Sequence, residues 1–515
     1  MKRPIHQNTV IVFLALLRFI LPYLLQNSFY EPHRDEYLYL IEGRHPAWGF
    51  MEVPPMMSVL AWITHFLGDG FFWIKFWPSL TGSICFVLTA RIAVSLGGKN
   101  FSIFLCFLPF VFTGYLRLFF LFHPNFLDVF FWTLLSFSIV RYVQTQKYRW
   151  LYLFGISAGL GMMSKYAIAF YVLAFFIAML LTRQRQVFLK KQFYFALTLA
   201  LLIFLPNLLW QYNHRFPVVT HMKELQSEQL QFIDPANFLM GQLVMFLPCF
   251  FIWLWGLAWS GFKRSAIQYR PLFWAYLAVL LILLVSHGKD YYSAGAYPVL
   301  FAFGAYYLET ISLRSRFLRI AFVTFPVLLG ILIMPIIMAT SRPEVLAHYY
   351  QSLHVEKTGA LRWEDQKNHP LPQDFADMVG WKETALKAGA VYQNIPDSEK
   401  SKTMVYCRGY FFAAALNFYR KEAGLPEVYS DDASFLFWMP DHYDVKNLIL
   451  IAHHIPDRDD SVFQQFRSMT VKDSLSDPLA REQGVKVILY QQANDHVNAL
   501  IEKSISGKKA VLERQ

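Results

Sequence analysis

Long apolar runs with almost no charge fill the first 340 residues, and they limit what this chain can fold into. The runs at 10–25, 71–90 and 317–338 can each cross a bilayer as a helix, which takes about 20 apolar residues. Only 16% of the 515 residues are charged, against about 25% in soluble domains. The first run lacks a small-residue cleavage site and further runs follow it, so we do not interpret it as a signal peptide. The sequence therefore predicts a polytopic α-helical membrane protein.

The hydropathy pattern predicts about eleven membrane spans. They lie near 9–28, 71–95, 101–118, 125–143, 151–167, 168–182, 193–211, 238–258, 271–287, 293–310 and 317–339. The region 151–182 also fits one long kinked segment. An N-terminus inside and an odd number of spans place the C-terminus outside. The outer segments are then the loops 29–57, 117–124, 212–237 and 287–292, together with everything after residue 341.

The net charge of +11 is concentrated in every second loop. The basic residues of these loops are Lys2, Arg3, Arg141, Lys147, Arg149, Arg183, Arg185, Lys190, Lys191, Lys263, Arg264, Arg270, Arg314, Arg316 and Arg319. An excess of Lys and Arg in cytoplasmic loops sets the orientation of a membrane protein. The charge therefore predicts orientation, and it gives no reason to expect a nucleic acid partner.

The composition changes after residue 340. Charge density rises, and no later run is long enough to span a membrane. Short β-type runs at 403–407, 447–454 and 485–490 alternate with helical patterns such as 411–424. The sequence thus predicts a transmembrane domain over 1–340 and an outer, periplasmic α/β domain over 341–515.

A polar and aromatic stretch, EPHRDEYLYLIEGRHPAWGFMEVPP (31–55), follows the first span. Its pattern predicts a short amphipathic helix on the membrane surface, with Tyr37, Tyr39 and Trp48 at headgroup level. Asp35 and Glu36 lie at its start, where a helix N-terminus stabilises negative charge. An interfacial helix without catalytic residues explains the stretch equally well.

Further charged residues lie at the same membrane level. Asp128 is in the first turns of an apolar span, where an ionisable group is costly and commonly functional. The alternative is an interfacial carboxylate that reaches water or caps a neighbouring helix. The basic residues at this level are Arg117, Lys165, His287 and Lys289. Cations that converge on one leaflet suit a lipid-linked phosphate, although Lys165 alone also fits a side chain that extends to the interface.

Several motifs occur in a fixed order along the chain. They are Asp35-Glu36, Gly49, EVPP (52–55), Asp128 before FWTL, SKY (164–166), LPNLLWQYNHRFP (205–217), KDYYSAGAYPVL (289–300), AAALNFYR, LPEVYS and FLFW. This ordered set resembles the dolichyl-phosphate-mannose protein mannosyltransferase superfamily, including its bacterial relatives that modify lipid A with aminoarabinose. Val53 stands where the aminoarabinose transferases tend to have Lys. That departure weakens a lipid A assignment and leaves the acceptor open.

The resemblance implies a GT-C-fold glycosyltransferase that uses a polyprenyl-phosphate sugar, with undecaprenyl phosphate as carrier in a bacterial inner membrane. It also implies inversion at the anomeric carbon. An acceptor hydroxyl needs a general base. We expect Asp35 in this role, with Glu36 orienting the loop or binding the acceptor.

The donor-binding residues expected from the resemblance and the charge pattern are Glu52, Arg117, Lys165, His287, Lys289 and Tyr292. Lys165 and Lys289 are expected to compensate the charge that develops on the leaving phosphate, supported by His287 and Tyr292. Asp128 and Glu52 are expected to bind sugar hydroxyls or to orient the cations.

The sequence gives no diagnostic metal or disulfide pattern. His33, His45 and His123 together with the outer acids offer ligands for a divalent ion, but their spacing is not typical of one, and the resemblance implies no required metal. Cys85, Cys106 and Cys249 lie in apolar spans and Cys407 stands alone, so we expect neither a disulfide nor a zinc site.

Two other classes of protein remain possible from the sequence. A transporter or flippase of lipid-linked sugars explains the spans but not the large outer domain. A non-catalytic scaffold tolerates the loss of Asp35 and Asp128, which an enzyme does not. Within the transferase class, the sequence separates neither the sugar nor a protein, lipid or glycan acceptor.

Overall fold

The computed structural model describes residues 6–228, 234–457 and 460–512. A helical domain over 7–337 is followed by a C-terminal domain over 343–512 that contains a five-stranded sheet. The fold class predicted from the sequence is confirmed. Lys2, Arg3 and residues 229–233 of the predicted loop 212–237 lie outside the described residues.

Sixteen α-helices build the described part of the helical domain. They are α1 (Gln7–Leu25), α2 (Arg34–Glu42), α3 (Met56–Leu67), α4 (Phe71–Ser95), α5 (Asn100–Phe112), α6 (Tyr115–Leu118), α7 (Pro124–Thr145), α8 (Arg149–Met162), α9 (Ile168–Leu180), α10 (Lys191–Asn213), α11 (Pro217–Glu228), α12 (Pro235–Val244), α13 (Phe250–Phe262), α14 (Arg270–Val285), α15 (Tyr297–Ile311) and α16 (Arg316–Ile337). Short 3₁₀ helices at Arg183–Leu189, Leu247–Cys249, Arg264–Tyr269 and Asp290–Ala296 connect them.

Within the described ranges, six helical segments are long and apolar enough to cross a membrane, and two bent pairs raise the number to eight. The six are α1, α4, α7, α10, Arg264–Val285 and α16. The bent pairs are α9 with Arg183–Leu189, and α12 with Leu247–Phe262. The predicted spans at 101–118, 151–167 and 293–310 form shorter helices of 13, 14 and 15 residues. The total of about eleven crossings therefore stays a prediction.

The basic loops lie together at the end of the helical domain away from Asp35. Helix α7 has 22 residues, which at 1.5 Å per residue carries the chain about 33 Å from His123. At its far end the Gln144 amide donates to the Tyr269 hydroxyl at 3.0 Å. In the same region the Lys190 ammonium lies 5.5 Å from the Tyr148 ring centre. The basic loops near 141–149, 183–191 and 263–270 therefore meet on one side of the domain.

The C-terminal domain is a mixed sheet packed with helices. Its elements are α17 (Pro343–Ser352), α18 (Gln373–Ala376), α19 (Trp381–Gln393), α20 (Asp397–Lys400), β1 (Thr403–Cys407), α21 (Tyr410–Phe418), α22 (Arg420–Ala423), β2 (Val428–Tyr429), β3 (Asn447–Ala452), β4 (Phe466–Ser474), β5 (Lys486–Ala493) and α23 (His496–Leu512). The strand order is β2-β1-β3-β5-β4. Strand β1 is parallel to β2 and β3, whereas β5 is antiparallel to β3 and β4.

The predicted strands at 403–407, 447–454 and 485–490 correspond to β1, β3 and β5, so these predictions are confirmed. Strand β4 has no predicted counterpart. Most of its side chains are exposed, and a strand exposed on both faces has no apolar alternation that would mark it in the sequence.

Helix α2 is covered by the C-terminal domain. The Tyr37 side chain is 0% exposed; its ring lies 6.1 Å from that of Trp381, and its hydroxyl is 3.1 Å from that of Tyr419. Tyr39 is also buried, whereas Trp48 is exposed. The expected exposure of Tyr37 and Tyr39 to the membrane surface is therefore wrong: the C-terminal domain covers Tyr37, and the buried Tyr39 ring lies 5.9 Å from that of His123.

Candidate functional site

A capping box fixes the start of α2. The His33 imidazole Nδ1 accepts from the Asp35 backbone N–H at 3.3 Å, and the Glu36 carboxylate accepts from the His33 backbone N–H at 2.7 Å. Such reciprocal bonds satisfy donors that a helix start leaves open. Neighbouring residues of a helix point about 100° apart. The Asp35 and Glu36 carboxylates therefore have different surroundings.

Glu36 points into the protein. Its two carboxylate oxygens each lie 2.6 Å from the Lys75 ammonium, and one also accepts from the Phe122 backbone N–H at 2.5 Å. Burial alone would raise the pKa of Glu36, but the Lys75 charge holds it below its ordinary value. Of the two roles expected for Glu36, these contacts support orienting the loop.

Asp35 opens onto a cavity of about 300 Å³ between the helical and C-terminal domains. Two more of the predicted site residues, Arg117 and Lys289, line it. The C-terminal domain contributes Glu364, Asp374 and Asp377. This cavity therefore combines a candidate base with three cations, since Arg34 also lines it, and with carboxylates from the other domain.

Three partners surround the Asp35 carboxylate. The Tyr410 hydroxyl donates to Oδ1 at 3.0 Å, His123 Nε2 lies 3.4 Å from Oδ2, and Arg34 Nε lies 3.5 Å from Oδ1. Burial alone would raise the pKa of Asp35, but the adjoining His123 imidazole and the Arg34 guanidinium hold it well below its ordinary value. The group is therefore an ionised carboxylate at neutral pH.

A chain of polar contacts links Lys165 to Asp35. The Lys165 ammonium donates to the Asn125 carbonyl oxygen at 2.6 Å, and the Asn125 amide nitrogen lies 3.1 Å from His123 Nδ1. Because an ammonium only donates, the Asn125 carbonyl oxygen must face Lys165, and its amide then donates to His123. This fixes the neutral His123 tautomer with its N–H on Nε2, which faces Asp35.

Two further predicted residues lie beside Lys165, and none of the three is among the described residues that line the cavity. The Lys165 ammonium lies 4.6 Å from the Tyr292 ring centre, within cation–π range. Asp128 is buried and close enough for its charge to act on Lys165. One Asp128 oxygen has no hydrogen-bond partner among the described residues. A buried, unpaired carboxylate oxygen is costly.

The cations of the cavity are paired with carboxylates of the C-terminal domain. Arg117 Nε lies 3.2 Å from Asp374, and the Lys289 ammonium lies 3.4 Å from Glu364. Arg481 binds Glu364 at 3.1 Å and Asp377 at 2.8 Å, and so holds these acids in place. An anionic ligand at Arg117 and Lys289 must therefore compete with Asp374 and Glu364.

Glu52 and His287, two more of the predicted site residues, also lie outside the cavity. Glu52 accepts from the Ser434 backbone N–H at 2.7 Å and from its hydroxyl at 2.6 Å, so it joins the two domains. His287 is exposed, in a left-handed backbone conformation with φ of 52°. Neither is among the described residues that line the cavity.

Three potential metal ligands, on His33, Asp35 and His123, lie within 4.8 Å of one another. Both His33 nitrogens are already engaged, since Nδ1 accepts the Asp35 N–H and Nε2 lies 3.5 Å from Asp377. His45 stacks on Trp438 instead, with ring centres 4.1 Å apart. These residues fit a hydrogen-bonded ion-pair network better than a divalent ion. That no metal is required remains a prediction.

From the sequence we did not expect Arg34, Asn125, Tyr410, Asp374 or Asp377 at the site, and we considered His123 only as a metal ligand. His123 and Asn125 precede Asp128 in FHPNFLD, where Pro124 marks a helix start. Their position beside a helix start and close to Asp128 is a local signal that could have pointed to them. Tyr410 contacts Asp35 and Asp377 contacts Arg34 from more than 330 positions away. Asp374 pairs with Arg117 from more than 250 positions away, and no local pattern reveals such contacts.

Comparisons with known proteins give the class of fold that the sequence predicted. Residues 52–210 match the family model described as Dolichyl-phosphate-mannose-protein mannosyltransferase. The crystal structure of ArnT from Cupriavidus metallidurans bound to undecaprenyl phosphate superposes with a TM-score of 0.64 at 13% identity, covering 94% of this chain and 97% of that chain. Its apo state gives a TM-score of 0.62 at 14% identity with the same coverage.

The archaeal oligosaccharyltransferase AglB from Archaeoglobus fulgidus covers 86% of this chain and 69% of its own, with a TM-score of 0.47 at 12% identity. A search among curated proteins finds no significant match. The chain is a multi-pass membrane protein with the GT-C fold. The resemblance predicted from the ordered motifs is confirmed, and the matched family segment contains EVPP, Asp128 and SKY.

Proposed function

We propose that this protein is a membrane glycosyltransferase that moves a sugar from a polyprenyl-phosphate donor, such as undecaprenyl phosphate, to an acceptor hydroxyl. The observation that carries the proposal is the ionised Asp35 carboxylate on the same cavity as Arg117 and Lys289. The family match and the ArnT structure bound to undecaprenyl phosphate support this donor class.

The proposed location is a bacterial inner membrane, with the N-terminus cytoplasmic and the C-terminal domain periplasmic. The basic loops at the end away from Asp35 support this orientation, because such loops stay on the cytoplasmic side. The reacting groups are then at the outer membrane surface, where a lipid-linked sugar and a periplasmic acceptor meet. Protein, lipid and glycan acceptors all fit this arrangement.

In the proposed reaction the acceptor oxygen attacks the anomeric carbon from the side opposite the phosphate. The new carbon–oxygen bond forms as the bond to the phosphate oxygen breaks, and the configuration inverts. The bonding electrons leave with the phosphate, and the acceptor proton passes to Asp35. His123 and Tyr410 orient the carboxylate for this transfer, which positioned bases accelerate by about 10²–10⁴-fold.

The leaving phosphate gains charge as the bond breaks. Arg117 and Lys289 lie on the cavity, and Lys165 lies behind Asn125, so cations are available to stabilise it. Asp128 offers its free oxygen to a sugar hydroxyl. Sugar transfer from a polyprenyl-phosphate donor by the purified protein in nanodiscs tests the proposal.

Neutralising Lys289 and neutralising Glu364 should change the donor affinity in opposite directions. Lys289→Gln removes a cation from the phosphate site, and we expect a donor affinity about tenfold lower, typical of one lost charge-assisted hydrogen bond. Glu364→Gln removes the competing carboxylate and should raise the affinity. Equilibrium binding of undecaprenyl phosphate in nanodiscs measures both. Glu356→Gln, in the same domain and paired with His354, is the control. If Lys289→Gln and Glu364→Gln change the donor affinity equally, the donor phosphate does not bind at this ion pair.

The acid limb of the pH–rate profile should move to higher pH in His123→Leu. Asp35 must be ionised to act as base, so activity is lost as pH falls through its folded pKa, which lies well below the ordinary value of 3.8. Removing the His123 N–H that faces the carboxylate raises that pKa. The pH dependence of kcat/KM measures the shift, with His45→Leu as control. An unchanged acid limb in His123→Leu would show that His123 does not act on the base.

A further inference from the structure

A second cavity, of about 670 Å³, lies within the C-terminal domain. Its volume is within the range of about 300–1,000 Å³ found for small-molecule sites. Helix α23 forms one wall through Ile501, Ser504 and Ile505, and residues that follow the parallel strands form the opposite rim. Neither the proposed reaction nor the fold comparison gives this cavity a role.

The cavity lies where ligands bind in open α/β sheets. From β1 the chain passes to β2 on one side, and from β3 it passes to β4 and β5 on the other. The carboxyl ends of β1 and β3 therefore flank a topological switch point, the usual ligand crevice of such sheets. Gly409 follows β1 there with φ of +124°, a conformation that favours glycine. A Cβ at this position would lie 2.9 Å from the ring of Phe411, which lines the cavity.

The lining combines an apolar floor with a charged rim. Met404, Leu448 and Ile505 are buried at the floor. At the rim Arg408 binds Asp460 at 3.0 Å, and Lys508 binds Asp431, which also accepts from the Tyr406 hydroxyl at 2.5 Å.

The rim favours a neutral ligand rich in hydroxyl groups. With Asp432, it carries three carboxylates and two cations, and this balance disfavours an anion. Hydroxyls both donate to carboxylates and accept from cations, while the C–H face of a sugar ring packs on an apolar floor.

One segment separates the two cavities. Asp432 accepts from the Tyr410 backbone N–H at 3.0 Å, and the Tyr410 hydroxyl donates to Asp35. Phe411 lines the second cavity and lies 5.4 Å beneath the Arg34 guanidinium, which lines the first. A ligand at the second cavity therefore contacts the segment that orients the candidate base.

We propose that this cavity binds a neutral saccharide, and that this saccharide is part of the acceptor. The inference rests on the proposed function for the acceptor role, and on the cavity itself for saccharide binding. It names a glycan, rather than a peptide, as the acceptor that the C-terminal domain recognises.

The test is binding of the labelled full-length protein, in nanodiscs, to immobilised neutral bacterial oligosaccharides and to immobilised peptides. Ser504→Trp fills the cavity from an exposed position of α23, and Ser506→Trp places the same side chain outside it. We expect wild type and Ser506→Trp to bind the same oligosaccharides and Ser504→Trp to bind at least tenfold more weakly. Lys508→Gln, with Lys503→Gln as control, tests the rim without adding bulk and should weaken binding several-fold.

Absence of oligosaccharide binding by wild type, equal binding by both Trp variants, or preference for peptides would overturn the inference. Saccharide binding without turnover of any donor would contradict the proposed function and leave the saccharide site standing. Donor turnover without saccharide binding would overturn the site alone.

Discussion

Asp35→Asn is expected to lower sugar transfer by about 10²–10⁴-fold, the range typical of a lost general base. The asparagine keeps the size of the side chain and still accepts from Tyr410, but it cannot take the acceptor proton. Donor binding should stay close to wild type because Arg117 and Lys289 are unchanged. Single-turnover rates with a labelled donor, together with the donor Kd, separate the two effects.

Asp69→Asn is the matched control for Asp35→Asn. Asp69 has the same kinds of partner, an imidazole from His65 and the Arg44 guanidinium at 3.6 Å, but it is not among the described residues that line the cavity. The Asp69→Asn variant should transfer sugar at the wild-type rate. An Asp35→Asn protein that transfers sugar at the wild-type rate would remove Asp35 from the role of base.

Glu36→Gln should be strongly destabilising. The change leaves the Lys75 ammonium buried without its counter-charge, and breaking a buried ion pair by removing one partner costs about 3–5 kcal/mol. We expect a large fall in the midpoint of thermal unfolding. The double variant Glu36→Gln, Lys75→Met removes both charges and should recover part of the loss, because no uncompensated charge remains.

Comparing the single variant with the double variant also decides between the two roles expected for Glu36. If Glu36 only orients α2, the double variant should regain activity together with stability. A Glu36→Gln protein that unfolds like wild type but transfers no sugar would contradict the structural role and point to direct contact with the acceptor.

The sequence predicted the elements whose signals are local. Strands β1, β3 and β5 and the longest apolar helices follow from continuous hydrophobic runs. The predicted span at 101–118 failed to form one helix because α5 ends at Phe112, where Thr113 is extended before Gly114. Hydropathy averaged over a window does not register such a break. Tyr37 and Tyr39 were misplaced because aromatic residues suit both a membrane interface and a domain interface.

The candidate site was predictable only in part. Asp35, Arg117 and Lys289 stand out as charges beside apolar runs, and the structure brings them to one cavity. Glu52 was grouped with them from the family motif, but its partner Ser434 lies 382 positions along the chain. Tyr410, Asp374 and Glu364 come from the C-terminal domain in the same way. Contacts of this kind depend on how two domains pack, which no local pattern encodes.

The central claim is that the protein transfers sugar from a polyprenyl phosphate, and the most direct test uses the wild-type protein in nanodiscs with a panel of undecaprenyl-phosphate sugars. We expect at least one donor to release undecaprenyl phosphate in step with glycosylation of an added acceptor. If every donor stays intact while the protein, in proteoliposomes, moves a labelled lipid-linked sugar between leaflets, the protein is a transporter and not a transferase.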